Sequence, residues 1–189
     1  MRIAVYGGSF NPPHKSHADV ASWIVRSGAA DRVWLVPVFE HAFEAMHEKK
    51  LAPFSLRMKW CSDLADSLGA GVEVSDVESK LPAPSYTVDT LQYLARKFSK
   101  DTFHLVIGAD ILEQTKSWKL WGEIMKDFAP IIVGREGYAN PELLYPGSPI
   151  FPAVSSTEVR GRLRRGDPID ELVPDVIAKS LQEGHPWKD

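Results

Sequence analysis

Apolar residues fall in short runs that stop at turn-forming residues, and between the runs they recur every three or four positions. Ile3-Ala4-Val5-Tyr6 ends at Gly7-Gly8, and Val33-Trp34-Leu35-Val36 ends at Pro37. Apolar runs of this length bounded by glycine or proline predict buried strands. Between them, Ala18, Val20, Ala21, Ile24 and Val25 share one helical face. That helix begins at Ser16 or His17, and Gly28 is placed to end it. A β-loop-α-β opening predicts a parallel sheet.

The alternation continues to the end of the chain. The pattern predicts a helix over 55–68, a strand over 72–74, a turn-rich connection over 80–84, a helix over 88–98 and a strand over 103–107. A helix around Trp118 to Lys126 then leads to a strand over 130–133. An irregular stretch over 138–149 precedes a short strand at Ile150-Phe151 and two helices, over 157–164 and 174–183. Residues 39–53 show no period and carry three glutamates, two histidines and two lysines, which reads as a long surface loop. The sum is an α/β fold, a Rossmann-like doubly wound parallel sheet. It is read as one domain over 1–189, with about 155–189 forming a small helical C-terminal end.

At 189 residues the chain is long enough to bury a core without staples. A net charge of −3 gives no general attraction to nucleic acid or to an acidic membrane, although a local basic cluster could still serve a small anion. Cys61 is the single cysteine, with no cysteine or histidine beside it, so it is expected to pack as a small hydrophobe in a reducing compartment. The opening MRIAVYGGSF lacks the pattern of a signal peptide, and no run approaches the roughly 20 apolar residues of a membrane span. A cytoplasmic protein is expected. No His/Cys/Asp grouping has structural-zinc spacing, so no protein-held metal is expected. Nothing specifies the oligomeric state, and a homo-oligomer is left open.

The richest stretch is Gly7-Gly8-Ser9-Phe10-Asn11-Pro12-Pro13-His14-Lys15-Ser16-His17. Glycines after a strand let backbone approach a ligand, and the following helix offers free N–H groups to an anion. His14 and His17, three apart, can share one helical face. A second stretch, Ser155-Ser156-Thr157-Glu158-Val159-Arg160, reads as a capped helix start with an arginine one turn on, again suited to an anion. By itself it is equally a capped surface helix.

The first stretch resembles the nucleotidylyltransferase superfamily signature Gly-x-Phe-x-Pro-x-His-x-x-His, mapped on Gly8, Phe10, Pro12, His14 and His17. Ser16 stands where relatives often carry glycine. The second stretch matches that superfamily's Ser-Ser-Thr-x-x-Arg. Three more segments are similar to the nicotinate mononucleotide adenylyltransferase branch: Ser85-Tyr86-Thr87-Val88-Asp89-Thr90-Leu91; Gly108-Ala109-Asp110 followed by Trp118 and Trp121; and Leu172-Val173-Pro174-Asp175. The resemblance implies catalytic roles for His14, His17 and Arg160, and an ATP site at Gly7, Gly8, Ser9, Phe10, Ser155, Ser156 and Thr157. It also implies a pyridine mononucleotide site at Thr87, Gly108, Asp110 and Trp118, with Trp118 stacked on the pyridine ring. Trp118 and Trp121 could equally face the core together, and Asp110 could cap the next turn. Mg²⁺ is implied as an ion carried mainly by the ATP phosphates.

The implied reaction joins the adenylyl group of ATP to nicotinate mononucleotide. Nicotinamide mononucleotide or another phosphate monoester is the alternative acceptor, and a non-catalytic nucleotide sensor is a reading of another class. The chain departs from the branch after Val36-Pro37, where relatives show a proline pair and then His-Lys. His41, His47, Lys49 and Lys50 lie in that departure, and Arg57 stands where relatives often open the next helix with arginine.

Overall fold

The computed structural model describes residues 1–40, 51–138 and 140–187. Six strands form a parallel sheet: β1 (Arg2–Gly8), β2 (Arg32–Pro37), β3 (Val72–Val74), β4 (Thr102–Gly108), β5 (Ile131–Arg135) and β6 (Ile150–Phe151), in the order β3-β2-β1-β4-β5-β6. In register, Ile3 lies opposite Arg32 on β2 and Phe103 on β4. The chain leaves β1 toward β2 and β3, then crosses back to β4 on the other side. The order therefore reverses between β1 and β4, and such a point opens a crevice beyond the strands' carboxyl ends.

Seven helices accompany the sheet among the described residues: α1 (Lys15–Ser27), α2 (Phe54–Leu68), α3 (Thr87–Lys97), α4 (Leu112–Thr115), α5 (Trp121–Asp127), α6 (Ser156–Arg165) and α7 (Asp175–Glu183). Successive strand residues point to opposite faces. Ala4 joins a core with Leu35, Ile24, Leu64, Val159 and Ile177, whereas Ile3 and Val5 join another with Leu91, Leu105, Ile107 and Ile124. Helices thus cover both faces, as the doubly wound reading expects. Gly28, at φ 72°, ends α1 in the left-handed conformation that favours glycine. Cys61 is buried in α2. Among the described residues no helix is long and apolar enough to cross a membrane.

One prediction fails between β4 and β5. A helix from Trp118 is expected, but α5 starts at Trp121, and Trp118 lies in the preceding turn. Leu120 adopts φ 53°, which interrupts any helix that would join the two tryptophans. The four-residue α4 is too short for a periodic signal to show. The 39–53 loop reading falls largely on residues 41–50, which lie outside the described residues.

The C-terminal end docks through aromatic packing. Trp60 of α2 is fully buried, donates Nε1–H to Ser180 Oγ at 3.1 Å, and lies 5.6 Å from the Trp187 ring. Trp60→Ala should remove this packing and leave a cavity, lowering unfolding free energy by about 3–5 kcal/mol. Urea denaturation would measure it, and a loss under about 1 kcal/mol would show that the α2–α7 junction contributes little.

Candidate active site

The turn after β1 is buried and tightly specified. Phe10 adopts φ 44° and tucks its ring inside, close enough to Gly8 that a Cβ there would sit 3.3 Å from Phe10 Cε2. The Gly-x-Phe pattern is therefore a packing rule: glycine makes room for the phenyl ring. Gly7 by contrast faces open space. Phe10 packs against His17 with centroids 4.8 Å apart, and Tyr6 flanks both rings.

His14 is the N-cap of α1, and its ring stacks on His17 at 3.7 Å. The His14 backbone N–H donates to His17 Nδ1 at 3.1 Å. A nitrogen that accepts cannot carry the proton, so neutral His17 holds its proton on Nε2. His14 Nδ1 is buried with no hydrogen-bond partner. The His14 side chain is turned toward the backbone of the third residue of α1, His17, in a capping-box arrangement, so the two histidines also define the start of the helix. Burial first, and the positive charge of Arg135 second, push the His14 pKa down to about 3. Burial, His14 and Arg135 likewise hold His17 well below the ordinary histidine range. The free site therefore presents two neutral imidazoles, and stacked rings at this distance resist charging together.

The N-terminus of α6 closes on the same turn. Ser155 caps the helix, its Oγ accepting the Glu158 N–H at 3.2 Å. Ser156 donates its hydroxyl to the Pro12 carbonyl at 2.8 Å. Arg160, largely buried, donates Nη1 to the Asn11 carbonyl at 2.8 Å and Nη2 to Thr157 Oγ1 at 3.1 Å. Two helix N-termini, α1 and α6, thus border one loop. Ser16, where relatives often have glycine, is buried with its hydroxyl donated to the Pro152 carbonyl at 2.7 Å, so it ties α1 to the approach to α6.

Beyond β4, Gly108 and Asp110 form one unit. A Cβ on Gly108 would collide with Asp110 Oδ1, so glycine is required for the carboxylate to fold back. Asp110 pairs with Arg135 Nε at 3.2 Å, and Arg135 donates Nη2 to the Val154 carbonyl at 2.6 Å, just before the α6 cap. Nothing in the sequence singles out Arg135. It ends an ordinary apolar strand, and only the topology brings its charge beside both histidines.

Thr87 and Trp118 form a second group. Thr87 is the first residue of α3, whose Val88 and Leu91 are core. Ser85 and Thr90 turn their hydroxyls to Glu78, and Asp89 accepts both of its bonds from Lys119, at 3.0 and 2.9 Å. The residues of the Ser-Tyr-Thr segment are thus largely structural, which leaves Thr87 as its candidate for a ligand. Lys119 also lies 4.8 Å over the Tyr86 ring, fastening the start of α3 to the turn that carries Trp118. Trp118 is half-buried, 5.9 Å from Trp121 at 82°, and packs against the core cluster on that face. Among the described residues no group of three or more His, Cys, Asp or Glu could hold a metal ion. His41, His47, Lys49 and Lys50 lie outside the described residues.

Paired helix N-termini at the switch point of a parallel sheet suit an anion such as a nucleotide's phosphates, and residues 5–162 match the cytidylyltransferase-like family, which places the chain among the α/β nucleotidylyltransferases. The chain is 41% identical over 184 residues to a protein of Anaeromyxobacter sp. (strain K) named "Probable nicotinate-nucleotide adenylyltransferase", covering 96% of this chain and 94% of that one. A protein of the same name from Thermus thermophilus is 35% identical over 187 residues, covering 97% of each. With relatives this similar along nearly its whole length, the chain belongs to the nicotinate-nucleotide adenylyltransferase family. The fold is also that of Plasmodium falciparum nicotinic acid mononucleotide adenylyltransferase complexed with NaAD, at TM-score 0.76 and 20% identity, covering 96% of this chain and 95% of that one.

The histidine electrostatics have a measurable sign. The unfolded chain takes up a proton on each histidine near pH 6.5, whereas folded His14 does so only at about 3. The unfolded state binds more protons across that window, so stability falls as pH is lowered through it. Ring ¹⁵N shifts of His14 in the free protein should stay at neutral values down to about pH 4. Titration of that ring near pH 6.5 would refute the buried, uncharged assignment.

Proposed function

We propose that this chain, working as one domain, transfers the adenylyl group of ATP to nicotinate mononucleotide, releasing pyrophosphate and forming deamido-NAD for cytoplasmic NAD synthesis. The observation that carries this reading is the closure of Ser156 and Arg160 on the Pro12 and Asn11 carbonyls. It gathers two phosphate-suited segments, 144 and 149 residues apart at those contacts, around one turn. The names of the relatives support the same reaction.

In this reading the 5′-phosphate oxygen of the mononucleotide attacks the α-phosphorus of ATP, and the bond to the β-phosphate oxygen breaks. The nucleophile is already an anion, so no general base is needed. Catalysis comes from alignment and from neutralising charge on the departing pyrophosphate. His17 offers Nε2–H to a phosphate oxygen. His14 stacks behind His17, and a polyphosphate arriving beside the stack supplies the negative charge that favours protonating one ring. Arg160 and the free N–H groups at the start of α6 meet the phosphates from the other side. Arg135 adds positive charge behind the histidines, and Asp110, steadied by Arg135, faces ribose hydroxyls. Gly7, Gly8, Ser9 and Phe10 give ATP its backbone approach, and Ser155, Ser156 and Thr157 line the α6 end. Thr87, Gly108 and Trp118 form the acceptor side. Mg²⁺, which the resemblance implies, would be held mainly by ATP phosphates and water and would supply further charge neutralisation.

Two measurements test this reading. With ATP and either pyridine mononucleotide, pyrophosphate release should favour the nicotinate form by about 5- to 150-fold in kcat/KM, because backbone N–H groups pair with both carboxylate oxygens while an amide leaves one donor unsatisfied. Equal values, or preference for the amide form, would overturn the acceptor assignment. His17→Ala should lower kcat by about 100-fold or more while the protein stays folded, since one preorganised phosphate donor is worth roughly 3 kcal/mol. Near-normal turnover in that variant would remove His17 from the mechanism.

A further inference from the structure

The peptide group between Val38 and Phe39, at the end of β2, is held at both ends by buried charge. Arg57 of α2 is 1% exposed and donates Nη1 to the Val38 carbonyl at 2.6 Å. Glu78 is 8% exposed and accepts the Phe39 N–H on Oε2 at 3.2 Å. One peptide dipole thus has its oxygen on a guanidinium and its N–H on a carboxylate, the arrangement Coulomb's law favours.

The remaining bonds of each charged group lead to opposite halves of the site. Arg57 also donates to the Ser9 carbonyl at 3.1 Å and to the Ala52 carbonyl at 2.9 Å. Glu78 also accepts from Ser85 Oγ at 3.1 Å and Thr90 Oγ1 at 3.5 Å, on either side of Thr87. An unbroken polar path therefore runs from Ser9 through Arg57, the Val38–Phe39 peptide and Glu78 to the start of α3. Stability alone does not call for such a path, because buried charges are often matched or bettered by apolar residues of similar size. What it does fix is the separation between Ser9, after β1, and the start of α3.

We propose that Arg57 and Glu78 are positioning residues, which set the separation between the phosphate turn at Ser9 and the acceptor side at Thr87 by gripping the Val38–Phe39 peptide from both ends. This rests on the adenylyl-transfer reading. Direct displacement needs the attacking oxygen within about 3–3.5 Å of phosphorus, and a misplacement of about 1 Å is worth roughly 100-fold in rate. Loosening the grip should harm transfer while leaving ATP, which meets only one half of the site, bound almost as before.

The test uses the full chain with Glu78→Ala and Glu78→Gln, following pyrophosphate release at saturating ATP and nicotinate mononucleotide, with ATP affinity measured separately by calorimetry. Glutamine keeps one oxygen for Phe39 N–H and Ser85 Oγ, which share Oε2, and can turn its amide nitrogen to Thr90 Oγ1. Glu78→Ala should lower kcat by about 30- to 100-fold with ATP Kd changed less than about threefold, and Glu78→Gln should restore kcat to within about fivefold of wild type. If Glu78→Ala does not fold, Ser85→Ala combined with Thr90→Val cuts the same path without touching the charge, and should lower kcat by about tenfold. Unchanged kcat in a folded path-cutting variant, equal loss in the alanine and glutamine variants, or ATP affinity falling in step with kcat would each overturn the proposal. A wild type that transfers nothing would overturn the functional reading and this inference with it, whereas an active wild type beside unaffected variants overturns the inference alone.

Discussion

The turn over 9–12 leaves the middle of the sheet through protein interior, and its backbone carbonyls cannot all be satisfied locally. Buried acceptors without donors are costly, so donors have to be brought in. Arg57 supplies one to Ser9, Arg160 one to Asn11 and Ser156 one to Pro12. The Ala52 N–H supplies another to the Asn11 side chain. The donors come from two distant parts of the chain, Ala52 and Arg57 around the start of α2 and Ser156 and Arg160 in α6, and each pair also fixes the element that delivers it. Satisfying this one turn therefore settles where α2 begins, how α6 lies and how the 9–14 segment faces the crevice.

The same construction shapes the electrostatics. Arg57 and Arg160 are committed to carbonyls, and Arg135 is divided between Asp110 and Val154. The positive charge around the site thus has fixed positions and needs little reorganisation when an anion arrives, which is where electrostatic catalysis gains most. The histidines are the adjustable members: burial and Arg135 hold both rings neutral in the free protein near neutral pH, and negative charge beside them favours taking up a proton.

Much of the fold is legible because most strands are short apolar runs cut off by Gly or Pro, and α1, α3 and α7 show clear apolar faces. The two phosphate-suited segments are also legible, since their residue types and spacing are unusual. What the sequence conceals is geometry that depends on several elements meeting. Nothing near Arg135 marks it, because its neighbours are ordinary strand residues. Arg57 can be noticed by position, but not that it reaches the carbonyls of Ser9, Val38 and Ala52. The helix expected over 118–126 is overextended because two tryptophans three apart mimic a helical face, and the left-handed Leu120 between them carries no composition signal. Thr90 and Ser85 look like members of a ligand motif, yet their hydroxyls belong to Glu78.

The bonds from α6 to the first loop also have a temporal meaning. Synthesis proceeds from the N-terminus at roughly 5–20 residues per second, so about 7–30 s separate the making of Asn11 from that of Arg160. Late in that interval, once β4 has been made, β1, β2 and β4 can pair, but the carbonyls of Asn11 and Pro12 still lack the donors that α6 brings. A nascent chain can thus build most of its sheet and still be unable to close the turn over 9–12. The loop after β1 must therefore wait for donors made 144 and 149 residues later before its carbonyls are satisfied by protein.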